Sequence, residues 1–221
     1  MEIPTLMPFQ MSPMNGDHYI TDEILRLKET FNLKVAIETG TCFGSTSLWM
    51  AKHFPFVITI ETNKQYQDIA KERAKNDAIG NIVFFLGSSQ TLLPHILKTS
   101  QTLLPHILQT RSSIGDDALF FLDAHWGPHC PLLDELKAIA DHGIKPCIVI
   151  HDMKNPNDDR FGFDEYPITK DGLPVVQQFC YGWVKPSLDL IYGEGGYFHY
   201  FNTGFKQESA QRGVLFCIPK Q

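Results

Sequence analysis

Two short runs, Asp123-Ala124-His125-Trp126 and His151-Asp152, place two carboxylates and two imidazoles directly after apolar stretches. Carboxylate oxygens suit a hard divalent cation such as Mg²⁺, and imidazole nitrogens move the preference toward Mn²⁺ or Zn²⁺. Asp123, Asp152, His125 and His151 are therefore the candidate metal ligands. His125, two residues beyond Asp123 and titrating near neutrality, is also the candidate general base. Upstream, Glu38 to Thr46 reads ETGTCFGST, an ExGxxxGxT turn in which Gly40 and Gly44 let backbone approach a ligand without Cβ clashes. Glu61 follows about twenty residues beyond Gly40, the spacing at which an acidic side chain accepts both hydrogens of a ribose diol. Gly87-Ser88-Ser89-Gln90 adds polar groups suited to an adenine edge. Turn, acid and polar run together point to an adenosine-containing ligand.

Each of these residues also has a plainer reading. Glu38 can cap a helix, Glu61 can be a solvated charge at a strand end, His125 and Trp126 can wall a pocket, and His151 can be a satisfied core histidine. His95, His106, His129 and His142 read as surface or structural residues. Cys42 has no positioned base to activate it as a nucleophile. Other chemistries stay open beside these. Glu61 would suit an NAD-dependent oxidoreductase, although the dinucleotide fingerprint needs GxGxxG and here Thr41 to Phe43 separate Gly40 from Gly44. Asp123, His125, His151 and Asp152 around zinc would suit a metal-dependent hydrolase. A non-catalytic cofactor-binding module is the reading outside enzymology.

The elements that must carry these residues alternate. Thr21 reads as the cap of a helix with apolar positions Ile24, Leu27 and Phe31. Strands are predicted at Val35–Thr39, Phe56–Ile60, Asn81–Leu86, Ala118–Leu122 and Cys147–Ile150, with helices at Ser47–Phe54, Lys64–Ala74 and Pro131–Ala140 between them. That order implies parallel pairing with right-handed crossovers, hence an α/β, doubly wound, Rossmann-like and mostly parallel sheet. Its ligands collect beyond the carboxyl ends of the strands, where all the candidate residues fall. Ser89–Thr99 and Ser100–Thr110 are a tandem duplication of SQTLLPHIL(K/Q)T, read as a surface insertion, with Pro105 splitting it into two short helices. Beyond Asp152, Asn155–Gly172 reads as a polar acceptor lid bearing Arg160, Phe161, Phe163 and Tyr166, and Leu173–Tyr181 as a helix. Leu188–Tyr192, Tyr197–Asn202 and Val214–Ile218 read as strands of a partly antiparallel edge.

The 221 residues carry 19 Lys and Arg against 25 Asp and Glu, a net charge of -6 that disfavours nucleic acid and anionic membrane as partners and favours a small molecule. Nothing between the segments resembles a linker, so residues 1–221 read as a single domain: an arm over 1–19, a cofactor-binding core over 20–153, and a lid with carboxyl-terminal strands over 154–221. Met1–Gly16 is interrupted by prolines and lacks a basic start, which argues against a signal peptide or membrane span. The five widely spaced cysteines read as reduced thiols in a cytoplasmic compartment. A homodimer stays open.

Over roughly Val35 to Met153, the pieces ETGTCFGST, VITIET, FFLGSSQTLLPHI, FFLDAHW and IVIHDM, in order after five strands, resemble class I S-adenosylmethionine-dependent methyltransferases. Among these the chain is similar to the metal-dependent small-molecule O-methyltransferases of the catechol O-methyltransferase type. The resemblance implies that Gly40, Thr41 and Thr46 hold the methionine part of S-adenosylmethionine, and that Glu38 anchors their turn. By the same match Glu61 takes the ribose, Ser89 and Gln90 lie beside adenine next to Ser88, and Asp123 and Asp152 bind the divalent cation. Two positions depart from the pattern. Met153 stands where the third metal ligand is expected, and no lysine follows Asp123.

Overall fold

The apolar runs that read as strands do pair, and their pairing fixes where the candidate residues meet. A computed structural model describes residues 12–107, 114–125, 129–170, 172–205 and 208–220. Strands β1 (Val35–Thr39), β2 (Phe56–Glu61), β3 (Ile82–Leu86), β4 (Ala118–Leu122) and β5 (Cys147–Ile150) run parallel in the order β3-β2-β1-β4-β5. Two further strands, β8 (Tyr197–Phe201) and β9 (Leu215–Pro219), extend that edge antiparallel as β5-β9-β8. The expected α/β sheet with an antiparallel carboxyl-terminal edge is therefore the one observed.

β1, β2, β4 and β5 are buried along their whole length because helices cover both faces, which is why their sequences are apolar runs rather than alternations. Helices α1 (His18–Thr30) and α2 (Ser45–His53) contribute Ile20, Ile24, Leu27, Met50 and Ala51 to one core beside Val57, Phe121 and Val149. Helices α4 (Ser89–Ile107), α5 (Leu132–His142) and α6 (Tyr181–Tyr192) contribute Leu93, Leu136, Ile139, Val184 and Leu188 to the other. Helix α3 (Lys64–Asn76) packs Ala70 and Ala74 inward beside the edge strand β3, which is only half-buried.

Four expectations are corrected. Helix α1 starts earlier than Thr21: Asp17 is the cap, its carboxylate accepting the Tyr19 N–H at 2.9 Å, and Thr21 bonds back to the His18 carbonyl. The first eleven residues lie outside those described, and the rest of the arm forms a short 3-10 turn over Pro13–Gly16 with Met14 buried. The duplicated segment forms one helix, α4, rather than two. Each proline removes only its own amide bond, Pro105 falls in the last turn, and Leu93, Ile96 and Leu97 hold the first copy against the core. Residues 108–110 of the second copy lie outside the described residues.

The last two corrections concern the carboxyl-terminal third. Leu173–Gln178 is strand β7, which pairs antiparallel with β6 (Glu165–Lys170) across Gly172, so part of the expected lid loop is a hairpin. Its Pro174-Val175-Val176 run favours extended backbone over helix. Conversely, Leu188–Tyr192 belongs to α6, where Val184, Leu188, Ile191 and Tyr192 recur at helical spacing and are buried. A five-residue apolar run has too few turns to reveal that period by itself. Among the described residues no helix is long and apolar enough to cross a membrane.

Candidate active site

The parallel strands reverse direction of progress between β1 and β4, and the crevice beyond their carboxyl ends gathers the predicted residues. On the β1 side, the Gly40 and Thr41 amides both donate to the Ile60 carbonyl, at 2.9 and 3.2 Å, which folds the turn back over β2. Gly40 has φ +87°, and a Cβ there would lie 2.6 Å from the Asp123 carbonyl oxygen, so no side chain fits. Beneath the turn, the buried Glu38 carboxyl accepts hydrogen bonds from the Ser47 and Thr59 hydroxyls, and Thr59 meets Thr41 at 2.5 Å between hydroxyl oxygens. Burial pushes the Glu38 carboxyl up to about 8 against the pull of those two hydroxyls. Glu38 thus joins α2 to β2 beneath the turn.

Glu61 closes β2 with its carboxylate accepting the Cys42 amide at 2.7 Å and the Asn63 amide at 2.8 Å. It braces the glycine turn and the start of α3 together, and each oxygen keeps a further lone pair for a ligand. Gly87 donates to the Glu61 carbonyl, so the turn after β3 is tied to the same strand end. There the Ser88 carbonyl receives the Thr91 and Leu92 amides, Ser89 opens α4 in a buried position, and Gln90 Oε1 is buried without a hydrogen-bond partner. The Thr46 hydroxyl, in the first turn of α2, accepts the Met14 amide at 3.0 Å and fastens the amino-terminal segment to that helix.

On the β4–β5 side, charge is concentrated. His125 Nε2 lies 2.7 Å from Asp152 Oδ2, 3.0 Å from Asp164 Oδ2 and 4.0 Å from Asp123 Oδ1. His151 Nδ1 lies 3.1 Å from Asp152 Oδ2 and 3.4 Å from Asp123 Oδ1, close to both but aligned for a hydrogen bond with neither. Burial opposes a positive His125, yet hydrogen bonds to Asp152 and Asp164 and the charge of Asp123 outweigh it and raise the imidazole to about 9. His151 is raised well above its ordinary value by the Asp152 and Asp123 charges, again against burial. Burial works against ionised Asp152, but the two histidines hold it far below the usual carboxylate range.

Arg212 completes this wall, its guanidinium donating to Asp152 Oδ1 through Nε and to Asp164 Oδ1 through Nη2. Sequence reasoning missed both Arg212 and Asp164. Asp164 is fixed by its backbone, its amide donating to the Asp152 carbonyl at 3.0 Å and its carbonyl accepting the Phe179 amide at 2.9 Å. Arg212 is set by Gly213, where a Cβ would lie 2.0 Å from the Met153 carbonyl oxygen. That glycine after Arg212 was the only local sign. Met153 itself is fully buried and belongs to the hydrophobic core.

The ligand atoms of Asp123, His125 and Asp152 lie within 4.8 Å of one another, and the unpartnered His151 Nδ1 and Asp123 Oδ1 face each other beside them. Mixed oxygen and nitrogen donors at that separation fit a small divalent cation. Other candidates are not brought together. Cys42 is exposed on the glycine turn with its amide held by Glu61, and His129 pairs with Asp134 away from the cluster. Trp126 lies outside the described residues. Of the expected lid, Phe161 is buried against Phe205, Arg160 pairs with Asp158, and Phe163 lies under Lys154.

No protein-family model matches the sequence, and no curated protein matches it. Solved structures do match. The O-methyltransferase TomG from Streptomyces achromogenes, in complex with SAM, superposes with a TM-score of 0.56 at 15% identity, over 91% of this chain and 80% of that one. The O-methyltransferase from Bacillus cereus, in complex with SAH, gives 0.56 at 13% identity, over 99% and 84%. This chain has the class I methyltransferase fold. CalS10, an amino pentose methyltransferase from Micromonospora echinaspora bound to SAM, shares that methyltransferase fold at a TM-score of 0.52 and 10% identity, over 92% of this chain and 91% of its own. In this fold the glycine turn, Glu61 and Ser89–Gln90 stand at three adjacent strand ends, and the charged wall stands across the switch between β1 and β4.

Proposed function

We propose that the protein transfers the methyl group of S-adenosylmethionine to a hydroxyl of a small acceptor, with a divalent cation held by Asp123, Asp152, His125 and His151. The observation that carries this reading is the alignment of three adenosine-type contacts at the ends of β1, β2 and β3 with a cation-type cluster at the ends of β4 and β5. In this reading Gly40 and Thr41 meet the methionine part, Glu61 accepts from the ribose, and Ser88, Ser89 and Gln90 border the adenine. The buried, unpartnered Gln90 Oε1 is then an acceptor for an exocyclic amine.

Methyl transfer from a sulfonium is an in-line displacement, so the protein has to align the acceptor oxygen and supply it as an anion. A bound cation, Mg²⁺ or with the imidazoles Mn²⁺ or Zn²⁺, would lower the acceptor hydroxyl's pKa. His125 holds a proton among Asp152, Asp164 and Asp123 at neutral pH. A cation on Asp123 and Asp152 would compete with that proton for the same carboxylate charge, and the neutral Nε2 would then serve either as a ligand or, with Asp123, Asp152 and His151 holding the cation, as the base that takes the acceptor's proton. Arg212 bridges Asp152 and Asp164 and so holds the two carboxylates side by side. The 155–164 segment is tied back to Asp152 by the Asp164 amide and, in this reading, is the acceptor lid.

Calorimetric titration with S-adenosylhomocysteine, and separately with NADH, tests the reading. Binding of the first is expected. Binding of NADH alone would replace it with a dinucleotide enzyme.

A further inference from the structure

The β6–β7 hairpin grows directly out of the charged wall. One residue pair below its last paired residues, Glu165 and Gln178, the Asp164 carbonyl accepts the Phe179 amide at 2.9 Å. Asp164 Oδ2 lies 3.0 Å from His125 Nε2, and the Phe179 ring meets the His125 ring edge-on with centroids 5.1 Å apart. Both residues at the foot of the hairpin therefore touch the same imidazole.

Side chains alternate between the two faces of a strand pair, so the face that turns Asp164 and Phe179 toward His125 also carries Tyr166 and Ile168 of β6 and Gln177, Val175 and Leu173 of β7. Tyr166 packs on the core near the foot, Ile168 stands across from Val175, and Leu173 lies at the tip. Exposure rises along that line. Tyr166 and Ile168 are half-buried, Val175 is 38% exposed and Leu173 is 66% exposed. The opposite face is mixed: Glu165 accepts from Gln178 at 2.8 Å, Thr169 stands across from Pro174, and Pro167 across from Val176. A largely apolar strip thus starts at His125 and runs outward from Asp164 to the tip, about 20 Å at roughly 3.3 Å per residue.

The strip is continuous with the cluster assigned to methyl transfer, so a molecule lying on it has one end at His125. Along its outer part Ile168, Val175 and Leu173 offer no hydrogen bond. A sugar or other polyhydroxylated body would lose water contacts there without replacement, whereas an apolar body gains by burial. Addition of a strand from a second chain is disfavoured by the hairpin's own edges. With Asp164 bonded to Phe179, the bonded pairs fall at every second position, and the amide positions of residues 167 and 174 turn outward. Both are proline, so each free edge lacks a donor.

We propose that the acceptor is a hydroxylated molecule with an extended apolar body, which lies along the His125-side face of the β6–β7 hairpin with its hydroxyl at the Asp123–His125–Asp152 cluster. This rests on the reading of that cluster as the methyl-transfer site.

The test is calorimetric titration of the full-length protein, loaded with S-adenosylhomocysteine and Mg²⁺, with catechol, 4-butylcatechol and 4-octylcatechol as probes. A fully buried methylene is worth about fourfold in affinity, and the strip covers one side of a chain, so affinity should rise about twofold per methylene. Val175→Ser should remove most of the gain for both alkyl probes. Leu173→Ser, at the tip, should reduce the octyl gain and spare the butyl gain, whereas Val176→Ser, on the opposite face, should leave both intact. All three side chains are exposed, so these truncations should not unfold the protein. Equal affinity along the series, no binding of any probe, or a gain that survives Val175→Ser would overturn the proposal. So would a dimer in sedimentation that Val175→Ser dissociates, which would give the face to a second copy. Failure of the wild type to bind S-adenosylhomocysteine would remove the cofactor reading and this proposal with it, an outcome separate from the others.

Discussion

The two walls of the crevice neutralise buried acids in opposite ways. Beneath Gly40, Glu38 is surrounded by the hydroxyls of Ser47 and Thr59 and is raised toward its neutral form, so the floor holds its acid by protonation. Beyond β4 and β5, Asp152 keeps its charge because His125, His151 and Arg212 supply positive charge within hydrogen-bonding range. A floor held by hydroxyls is rigid and indifferent to added ions, as a surface that recognises an organic cofactor needs to be. A wall held by ion pairs can exchange one cation for another, as a surface that loads a metal and handles a proton needs to do.

That contrast is broken most severely by removing the exchangeable charge. Excess chelator, or Asp123→Asn, should abolish methyl transfer while leaving S-adenosylhomocysteine affinity nearly unchanged. Full turnover in chelator would show that the wall works with its own cations alone. The next effect is on stability. Arg212→Met leaves Asp152 and Asp164 short of a partner and should cost about 3 kcal/mol in urea unfolding; an unchanged midpoint and slope would mean that the guanidinium is dispensable to the wall.

On the cofactor wall, Glu61→Gln should weaken S-adenosylhomocysteine about tenfold, from loss of charge-assisted hydrogen bonds worth roughly 1.5–3 kcal/mol, as read by titration. Unaltered affinity would leave Glu61 as a brace for Cys42 and Asn63 only. The smallest effect is on pH. Glu38 has its folded pKa raised to about 8 from 4.5, so its folded form binds the proton more tightly. Its contribution to stability is full below the unfolded value and falls as pH rises through 8. Glu38→Gln should therefore gain on wild type by a few degrees in melting temperature between pH 5 and pH 8. A difference that stays constant over that window would show the acid to be ionised in the fold.

The walls also differ in how far the sequence discloses them. Glu38, Gly40, Glu61, Ser89 and Asp123 each stand at the end of an apolar run or in the turn directly after it, so local pattern and strand order together bring them to one crevice. Asp164 and Arg212 follow no such run. They reach Asp152 through backbone bonds between segments far apart in the chain, such as Gly162 with Gln211 and Met153 with Gly213, and no local period encodes those. The same cause lies behind the misread hairpin and α6, where Val175 and Leu188 sit in short apolar runs whose partners decide between strand and helix.

The single helix α4 gives the duplication a geometric meaning. Each copy is eleven residues long, and at 3.6 residues per turn that length is within about 20° of three whole turns. A repeat of ten or twelve would have rotated the downstream backbone by about 80° or 120° and set it against a different neighbour. An insertion of eleven only lengthens the rod, by about 16 Å, and hands the chain on in the phase it already had. Within α4 the added turns therefore change how far the helix reaches, not the direction from which it starts.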